Sequence, residues 1–319
     1  MAQAEVGDDV FGEDPTVLRL EEEGASLVGK EAALFVPSGT MGNQIAVLAH
    51  TGRGDEILAD AQAHVYYYEV GSPAMLAGVQ VRPVEGLLAP GALDRLLSAL
   101  RPADLHFPRT RLICLENTFN RGGGTVLPSE DMAAIYTAAL ERDLAVHLDG
   151  ARVFNAAVAS GVPATDFTRH CDSVMFCLSK GLAAPVGSLL AGTKEFIGRA
   201  RKYRKALGGG MRQVGVLAAA GLVALSRIPE LAEDHRNARI LAEGLSDMKG
   251  LEVDLETVHT NILVAKTVGR PASDVIAALS ARGVRCVSFG PQLVRFVTHK
   301  DVNRRDIEYT LKIAQEVLC

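Results

Sequence analysis

The sequence predicts an α/β fold with a mostly parallel sheet flanked by helices and a smaller C-terminal α+β domain. Between about residues 31 and 225, short β-rich runs alternate with helical patterns, which is typical of a parallel sheet covered on both faces. After about residue 228 a long helical stretch and closely spaced strands replace this alternation. The chain has 319 residues, of which 48% are hydrophobic, enough for more than one small core. We predict a large domain over 1–228 and a small domain over 229–319.

Six runs are the strand candidates of the large domain: 55–60, 79–84, 111–117, 144–150, 172–179 and 186–192. A helix is predicted over 128–142, with Ser129 as its N-cap and acidic residues in its first turn. The small domain should hold helices over 229–248 and 272–282 and a last helix to Cys319, with strands in 251–255, 261–266, 283–289 and 293–299. Such sheets place ligands at the carboxyl ends of their strands.

Composition excludes several classes of function. The net charge of −5 leaves no basic face for nucleic acid. No uncharged apolar run approaches the ~18 residues of a membrane span, and the N-terminus lacks a signal-sequence pattern. The five cysteines (Cys114, Cys171, Cys177, Cys286 and Cys319) show no CxxC spacing, so reduced thiols are expected rather than disulfides or a metal site. We therefore predict a cytoplasmic protein without nucleic-acid, membrane or metal partners.

Two charged residues follow neighbouring strands. Asp149 ends the apolar run of "VHLDGAR", and Lys180 follows that of "DSVMFCLSKG". A carboxylate there could keep the ring nitrogen of pyridoxal phosphate (PLP) protonated, and a partly neutral lysine could form a Schiff base with a carbonyl. Taken alone, Asp149 could equally be an N-cap and Lys180 a surface lysine. Together, they are much more specific for a PLP site.

A third feature is "FVPSGTMGNQIA", where Ser38, Gly39 and Thr40 open a predicted helix. The N–H groups and hydroxyls of a helix start can bind phosphate, although an ordinary Ser/Thr cap beside a glycine turn would look the same. His64 in "DAQAHVYYYE" could stack on the PLP ring and act as a base, whereas a lone histidine among tyrosines is more often simply packed. His106 is a weaker candidate, because an exposed loop histidine explains it adequately.

With these residues in hand, the chain resembles the L-threonine aldolases, which are PLP-dependent enzymes of the aspartate-aminotransferase-like fold type I. The resemblance runs from about Glu5 to the C-terminus. Eight segments occur in the order that the family shows: "VGDDVFGEDPTVLRLEEE", "FVPSGTMGNQ", "LENTFNRGGG", "HLDGARVFNAA", "CLSKG", "APVGS", "LGGGMRQ" and "LVRFVTH". It implies reversible cleavage of L-threonine or L-allo-threonine, and of related β-hydroxy-α-amino acids, to glycine and an aldehyde.

The resemblance also implies which residues hold the cofactor. By it, Lys180 is the Schiff-base lysine, Asp149 pairs with the pyridine nitrogen, and Arg152 lies beside the ring hydroxyl. Gly39 and Thr40 match the phosphate cradle. PLP is therefore the expected cofactor.

Further residues are implied for the substrate and the assembly. By the resemblance His64 stacks on the ring, His106 lies near the substrate hydroxyl, and Arg295 holds the substrate carboxylate. Lys205 and Arg212 match basic residues that reach the phosphate of a neighbouring subunit. The implied assembly is a homotetramer, a dimer of dimers with active sites at the dimer interface.

Two departures from the family pattern keep alternatives open. Family members usually carry a segment before "EVGDDV" whose serine helps bind the substrate carboxylate, and this sequence begins at Met1-Ala2-Gln3. Phe11 also stands where a tyrosine is common. The alternatives are a PLP-dependent β-eliminating lyase on the same scaffold and a PLP-binding protein with impaired catalysis.

Overall fold

A computed structural model describes residues 1–318. Cys319, where the last predicted helix ends and one of the five thiols lies, is outside the described residues. Contacts within the described chain form two compact units. The large unit contains 1–118, 127–157 and 161–228, and the small unit contains Phe119–Val126, Val158–Ser160 and the chain from Pro229 onward. Each is described separately below.

The large unit is built on a seven-stranded mixed sheet. Its strands are β1 Ala32–Val36, β2 Glu56–Asp60, β3 Gln80–Val84, β4 Thr110–Glu116, β5 Ala145–Asp149, β6 Ser173–Cys177 and β7 Ser188–Gly192. Their order across the sheet is β1-β7-β6-β5-β4-β2-β3. Strand β7 pairs antiparallel with both β1 and β6, and the other pairs are parallel. The predicted fold class is confirmed.

Helices follow most of these strands. They are α1 Pro15–Leu27, α2 Gly39–His50, α3 His64–Tyr67, α4 Ala92–Ala99, α5 Ser129–Leu140, α6 Val153–Ser160, α7 Thr165–Thr168, α8 Lys194–Ala206 and α9 Gly215–Leu225. A π-helix, Pro73–Ala77, precedes β3. The strands β2, β6 and β7 are buried along their whole length. This explains why the central residues of each strand are apolar on both faces, because a sheet covered on both faces needs no polar side.

The small unit has a four-stranded antiparallel sheet and three helices. Its elements are α10 Leu231–Ser246, β8 Leu251–Val253, β9 Ile262–Thr267, α11 Ala272–Ser280, β10 Val287–Gly290, β11 Leu293–Val297 and α12 Arg304–Leu318. The strand order is β10-β11-β9-β8. Short 3₁₀ helices lie at Ile228–Glu230 and Leu255–Thr257. The helices and sheet enclose their own apolar core, to which Leu241, Leu263 and Val294 belong.

Two local predictions need correction, and one strand was not predicted. The N-cap of α5 is Pro128, not Ser129, because the helix begins at Ser129 and the Ser129 hydroxyl donates to Asp166 O at 2.6 Å. The run 283–289 is β-strand only from Val287, since Val284 packs into the core of the small unit before the strand starts. The strand that was not predicted is β1, the short apolar run before Pro37, because the periodicity of so brief a segment does not distinguish a strand from a helix.

The state of the cysteines and the length of the apolar helices relate to the predicted cellular compartment. Cys114, Cys171, Cys177 and Cys286 are free, and the first three are buried. Burial raises the pKa of the Cys171 thiol to about 12. Among residues 1–318, no single helix is long and apolar enough to cross a membrane, whereas one bent pair of helices, Gly215–Leu225 with Ile228–Ser246, meets that test by length and composition only.

Candidate active site

The carboxyl ends of the parallel strands meet at one edge of the large sheet. Asp149 at the end of β5 is in register with Glu116 at the end of β4 and with Met175 in β6. Lys180 follows β6 by three residues, and His64 follows β2 by four. The topology therefore gathers residues from distant parts of the chain at this edge.

A cleft of about 270 Å³ opens at this edge. Predicted site residues Gly39, Thr40, His64, Asp149 and Lys180 all line it, together with Ser38, Asn43, Ser179 and the 185–187 turn. The cleft lies entirely within the large unit. Five of the predicted residues are thus brought together.

Lys180 follows a buried strand that ends beside the cleft. Strand β6 is fully buried and ends at Cys177, and Leu178 is also buried. The chain emerges at Ser179, which is exposed, so that Lys180 is only partly covered. A half-covered amine in a cleft is accessible to a carbonyl compound.

The start of α2 forms another wall of the cleft. Ser38 is the N-cap, and its hydroxyl accepts a hydrogen bond from Met41 N at 3.2 Å. A side chain at Gly39 would press against the sheet, since an added Cβ would lie 3.0 Å from Cys177 Sγ and 3.1 Å from Met175 Cε. Glycine thus lets the helix start lie close to β6. The first N–H groups of a helix lack intrahelical partners and attract anions, so this wall suits a phosphate.

Asp149 is buried and held from two sides. Its side chain is 5% exposed. Oδ1 accepts from Ala151 N at 3.0 Å, and Oδ2 accepts from Asn43 Nδ2 at 2.8 Å. Both contacts come from N–H donors, so each carboxyl oxygen accepts a hydrogen bond. A carboxylate facing the cleft can hold a protonated ring nitrogen.

His64 is fixed by two further carboxylates. Its backbone N–H donates to Glu116 Oε2 at 2.6 Å, and its ring Nδ1 lies 2.8 Å from Glu69 Oε1. The hydrogen bond to Glu69 raises the pKa of His64 above its ordinary value; burial opposes this, and Asp149 adds to it. The imidazole is 29% exposed, so one edge remains open to the cleft.

His64, Glu69 and Asp149 offer ligand atoms that lie within 4.8 Å of one another, an arrangement that could hold a cation. The Asn43 amide lies between the two carboxylates and donates to both at 2.8 Å. An amide donor compensates the negative charge there as a cation would. We assign no metal to these residues.

The remaining predicted residues of the large unit lie elsewhere. Arg152 is in the turn between β5 and α6 and is not among the described residues that line the cleft. Lys205 and Arg212 are exposed, and Arg212 Nη1 donates to Asp8 Oδ2 at 2.6 Å. His106 is exposed in the loop before β4, at the edge opposite the cleft because β4 ends at Glu116. His106 therefore does not line the cleft within one chain, and its expected position near the substrate hydroxyl is not seen.

Arg295 belongs to β11 of the small unit. Its Nη1 donates to Asn120 Oδ1 at 2.7 Å, and its guanidinium carbon lies 5.0 Å from the centre of the Phe289 ring. The amide and the ring fix the orientation of the guanidinium. A planar, oriented guanidinium is suited to binding a carboxylate through two hydrogen bonds.

Sequence reasoning missed Asn43, Gln44, Glu69 and Glu116. One signal was available: Asn43 and Gln44 are consecutive polar residues in a helix whose other interior positions are apolar, and both are buried. Buried amides usually bind other buried polar groups. Glu69 gave no such signal, because a glutamate after three tyrosines is typical of a surface turn.

Known proteins similar to this chain identify its family. Residues 1–267 match the family of beta-eliminating lyases. A probable low-specificity L-threonine aldolase 2 of Arabidopsis thaliana is 45% identical over 99% of this chain and 92% of its own length. The chain belongs to the L-threonine aldolase family. A second threonine aldolase, the low-specificity enzyme of Escherichia coli K12, is 44% identical over 96% of this chain and 90% of its own.

The threonine aldolase fold is also seen in the structural comparison. The crystal structure of a putative L-allo-threonine aldolase from Listeria monocytogenes superimposes with a TM-score of 0.82 and 21% identity, covering 100% of this chain and 90% of that one. This likeness supports the fold alone. The predicted family is confirmed, and the roles of individual residues remain predictions.

The cleft of this threonine aldolase fits PLP by its own chemistry. It offers one amine, Lys180, one buried carboxylate, Asp149, and one helix start where Gly39 leaves room that a side chain would fill. An amine, a carboxylate and an anion site are the three partners that the aldehyde, ring nitrogen and phosphate of PLP require.

Proposed function

We propose that this chain is a PLP-dependent aldolase that cleaves L-threonine, L-allo-threonine and related β-hydroxy-α-amino acids, reversibly, to glycine and an aldehyde, which is acetaldehyde for threonine. The observation that carries the proposal is the meeting of Lys180, Asp149 and the start of α2 in one cleft. It accords with membership of the threonine aldolase family.

The large unit would hold the cofactor. Lys180 Nζ would bind its aldehyde carbon, Asp149 would keep a proton on its ring nitrogen, and the first turn of α2 with Thr40 would bind its phosphate. When bound, PLP accepts the electron pair that is left at Cα when the Cα–Cβ bond breaks.

Other residues would orient the substrate and move its protons. Arg295 would bind the α-carboxylate and so fix which bond at Cα is aligned for cleavage. His64 Nε2 would accept the proton of the β-hydroxyl, because Nδ1 is directed to Glu69. Loss of that proton lets the Cα–Cβ bond break and the aldehyde leave, and a proton returned to Cα gives glycine.

A second candidate is β-elimination, which the description of the matching family favours. The same cofactor residues would serve it, so the products must decide. A β-eliminating lyase would convert L-serine to pyruvate and ammonia, whereas an aldolase would release glycine and an aldehyde from either diastereomer of threonine. A third outcome, cofactor binding without turnover, would match the alternative of impaired catalysis.

The assembly and the setting belong to the same proposal. We expect a homotetramer in which Lys205 and Arg212, both exposed in one chain, bind the phosphate of a neighbouring subunit. The buried free thiols favour a reducing compartment, and we propose a cytoplasmic role in threonine breakdown and glycine formation.

The test is incubation of the purified protein and PLP with L-threonine, L-allo-threonine and L-serine in separate reactions. Glycine, acetaldehyde, pyruvate and ammonia are measured in each. Equimolar glycine and acetaldehyde from threonine would support the aldolase. Pyruvate with ammonia from serine, and no glycine from threonine, would replace it with the lyase.

A further inference from the structure

Glu69 is a fully buried carboxylate behind His64, and its side chain receives three hydrogen bonds. It is 0% exposed. Oε1 accepts from Asn43 Nδ2 at 2.8 Å and lies 2.8 Å from His64 Nδ1, and Oε2 accepts from Gln44 Nε2 at 2.5 Å. The two amide groups can only donate, so the Glu69 carboxylate accepts from both of them. His64 Nδ1 is the third group within hydrogen-bond distance of this carboxylate.

The Asn43 amide that holds Glu69 is itself oriented by a chain of hydrogen bonds. Asn43 Oδ1 lies 3.1 Å from His147 Nε2, His147 Nδ1 lies 2.9 Å from Ser173 Oγ, and Ser173 Oγ lies 2.8 Å from His50 Nε2. Burial lowers the pKa of His147 to about 4 and that of His50 to about 3, so both rings are neutral near pH 7.

With both rings neutral, only one assignment of donors and acceptors is consistent along this series of hydrogen bonds. Because Asn43 Nδ2 faces two carboxylates, Asn43 Oδ1 must accept, and His147 must therefore carry its proton on Nε2. His147 Nδ1 then accepts from the Ser173 hydroxyl, and Ser173 accepts from His50. Every donor points toward Glu69 and Asp149, so the Asn43 amide cannot rotate without breaking contacts along the whole chain.

A Glu69 carboxylate held by two amide donors determines which nitrogen of His64 carries hydrogen. An ionised carboxylate can only accept, so His64 Nδ1 must be the N–H, and the lone pair of the neutral ring lies on Nε2. The charged or titratable groups that face His64 include Glu69, Glu116 and Asp149. The Tyr68 ring lies 5.5 Å from the imidazole, and Lys180 lines the same cleft.

We propose that Glu69 is a positioning residue for the cleavage reaction: it holds His64 in the Nδ1–H form and so directs the basic Nε2 into the cleft. The inference rests on the proposed function of His64 as the base for the β-hydroxyl proton. Glu69 acts through His64 and does not itself contact the substrate.

The direct test is the tautomer of His64 in the holoenzyme. Solid-state ¹⁵N NMR of protein labelled at histidine reports which ring nitrogen bears hydrogen, and a His64→Asn variant identifies the His64 signals. We expect the Nδ1–H form of the neutral ring in the wild type. A neutral His64 protonated on Nε2 would overturn the proposal, whatever the activity of the protein.

The variant test is Glu69→Gln, which removes the charge and keeps the shape. The hydrogen bond to Glu69 is the main cause of the raised pKa of His64, so the variant should move both the titration of His64 and the acid limb of the kcat/KM profile to lower pH. The pH-independent kcat should fall by about 10²-fold, the scale of a misplaced catalytic group, with a much smaller change in KM. For Glu69→Asp, which keeps the charge, the acid limb and the kcat should lie between those of the wild type and those of Glu69→Gln.

Glu56→Gln is the matched control, because Glu56 is also a glutamate of 0% exposure but lies at the start of β2, at the other edge of the sheet. It should leave the acid limb unmoved. If kcat fell equally in Glu69→Gln and Glu56→Gln and the acid limb of the kcat/KM profile did not move, Glu69 would have only a structural role. A wild type that forms no glycine would refute the proposed function, while the NMR result would still decide the tautomer.

Discussion

The side-chain amide of Asn43 donates a 2.8 Å hydrogen bond to Asp149 Oδ2. It donates a second one, also of 2.8 Å, to Glu69 Oε1. Asn43 lies on α2 and is 1% exposed. One amide therefore separates two buried carboxylates, one proposed to serve the cofactor nitrogen and the other proposed to serve His64.

Asn43→Leu should destabilise the protein and weaken its hold on PLP. Leucine has a similar size but no donor, so each carboxylate loses a hydrogen bond, at about 1–3 kcal/mol for a buried group left unsatisfied. Urea unfolding of the cofactor-free protein and titration with PLP measure the two effects. Gln80→Leu, at an exposed position of β3, should change neither. Unaltered stability and PLP affinity in Asn43→Leu would contradict the role of the amide.

Lys180→Ala should abolish the absorbance of covalently bound cofactor. The turnover should fall by more than about 10²-fold, the lower end of what a positioned catalytic side chain supplies. Spectra and glycine formation are compared with those of Lys194→Ala, which changes an exposed lysine of the same unit. A Lys180→Ala protein that kept both the spectrum and the turnover would refute the assignment.

Arg295→Lys should raise the KM for threonine while leaving the PLP spectrum intact. Lysine keeps the charge but cannot make the two parallel hydrogen bonds of a guanidinium to a carboxylate, and the loss should be about tenfold or more, as for a charged hydrogen bond of 1.5–3 kcal/mol. Arg285→Lys, an exposed arginine of the small unit, is the control. Loss of cofactor with an unchanged KM would show that Arg295 does not bind the carboxylate.

The buried histidines should make the fold sensitive to acid. Burial lowers the pKa of His147 to about 4. Between about pH 6.5 and pH 4, His147 is therefore protonated in the unfolded chain and neutral in the folded chain. The free energy of unfolding contributed by His147 is therefore present above pH 6.5 and is lost as pH falls toward 4, by about 1.4 kcal/mol per pH unit. Urea unfolding between pH 4 and 7 should show a smaller slope for His147→Gln than for the wild type.

The control for this slope is His106→Gln, because His106 is exposed. Its unfolding free energy should follow the pH dependence of the wild type. If His147→Gln also kept the full wild-type slope, the acid sensitivity would have to arise from other groups.

Much of the architecture could be predicted from the sequence alone. The apolar centres of β2, β6 and β7 are typical of strands buried on both faces, and the alternation of strands with helices predicts the mostly parallel sheet. The direction of β7 could not be predicted, because an antiparallel strand buried on both faces has the same apolar composition as a parallel one. The position of His106 was also beyond sequence reasoning, since a loop histidine carries no sign of the sheet edge to which it belongs.

The sequence by itself determined the family, the large sheet and the residues with a distinctive place in a motif: Lys180 and Asp149 after their strands, and Gly39 with Thr40 at the start of α2. Only the tertiary structure decided the contacts among side chains far apart in the chain, above all those joining Asn43 to Glu69 and Asp149, 26 and 106 residues away. The physical reason is that hydrophobic periodicity is a local property of the chain, whereas a buried carboxylate is stabilised by whichever donors the fold brings within about 3 Å of it.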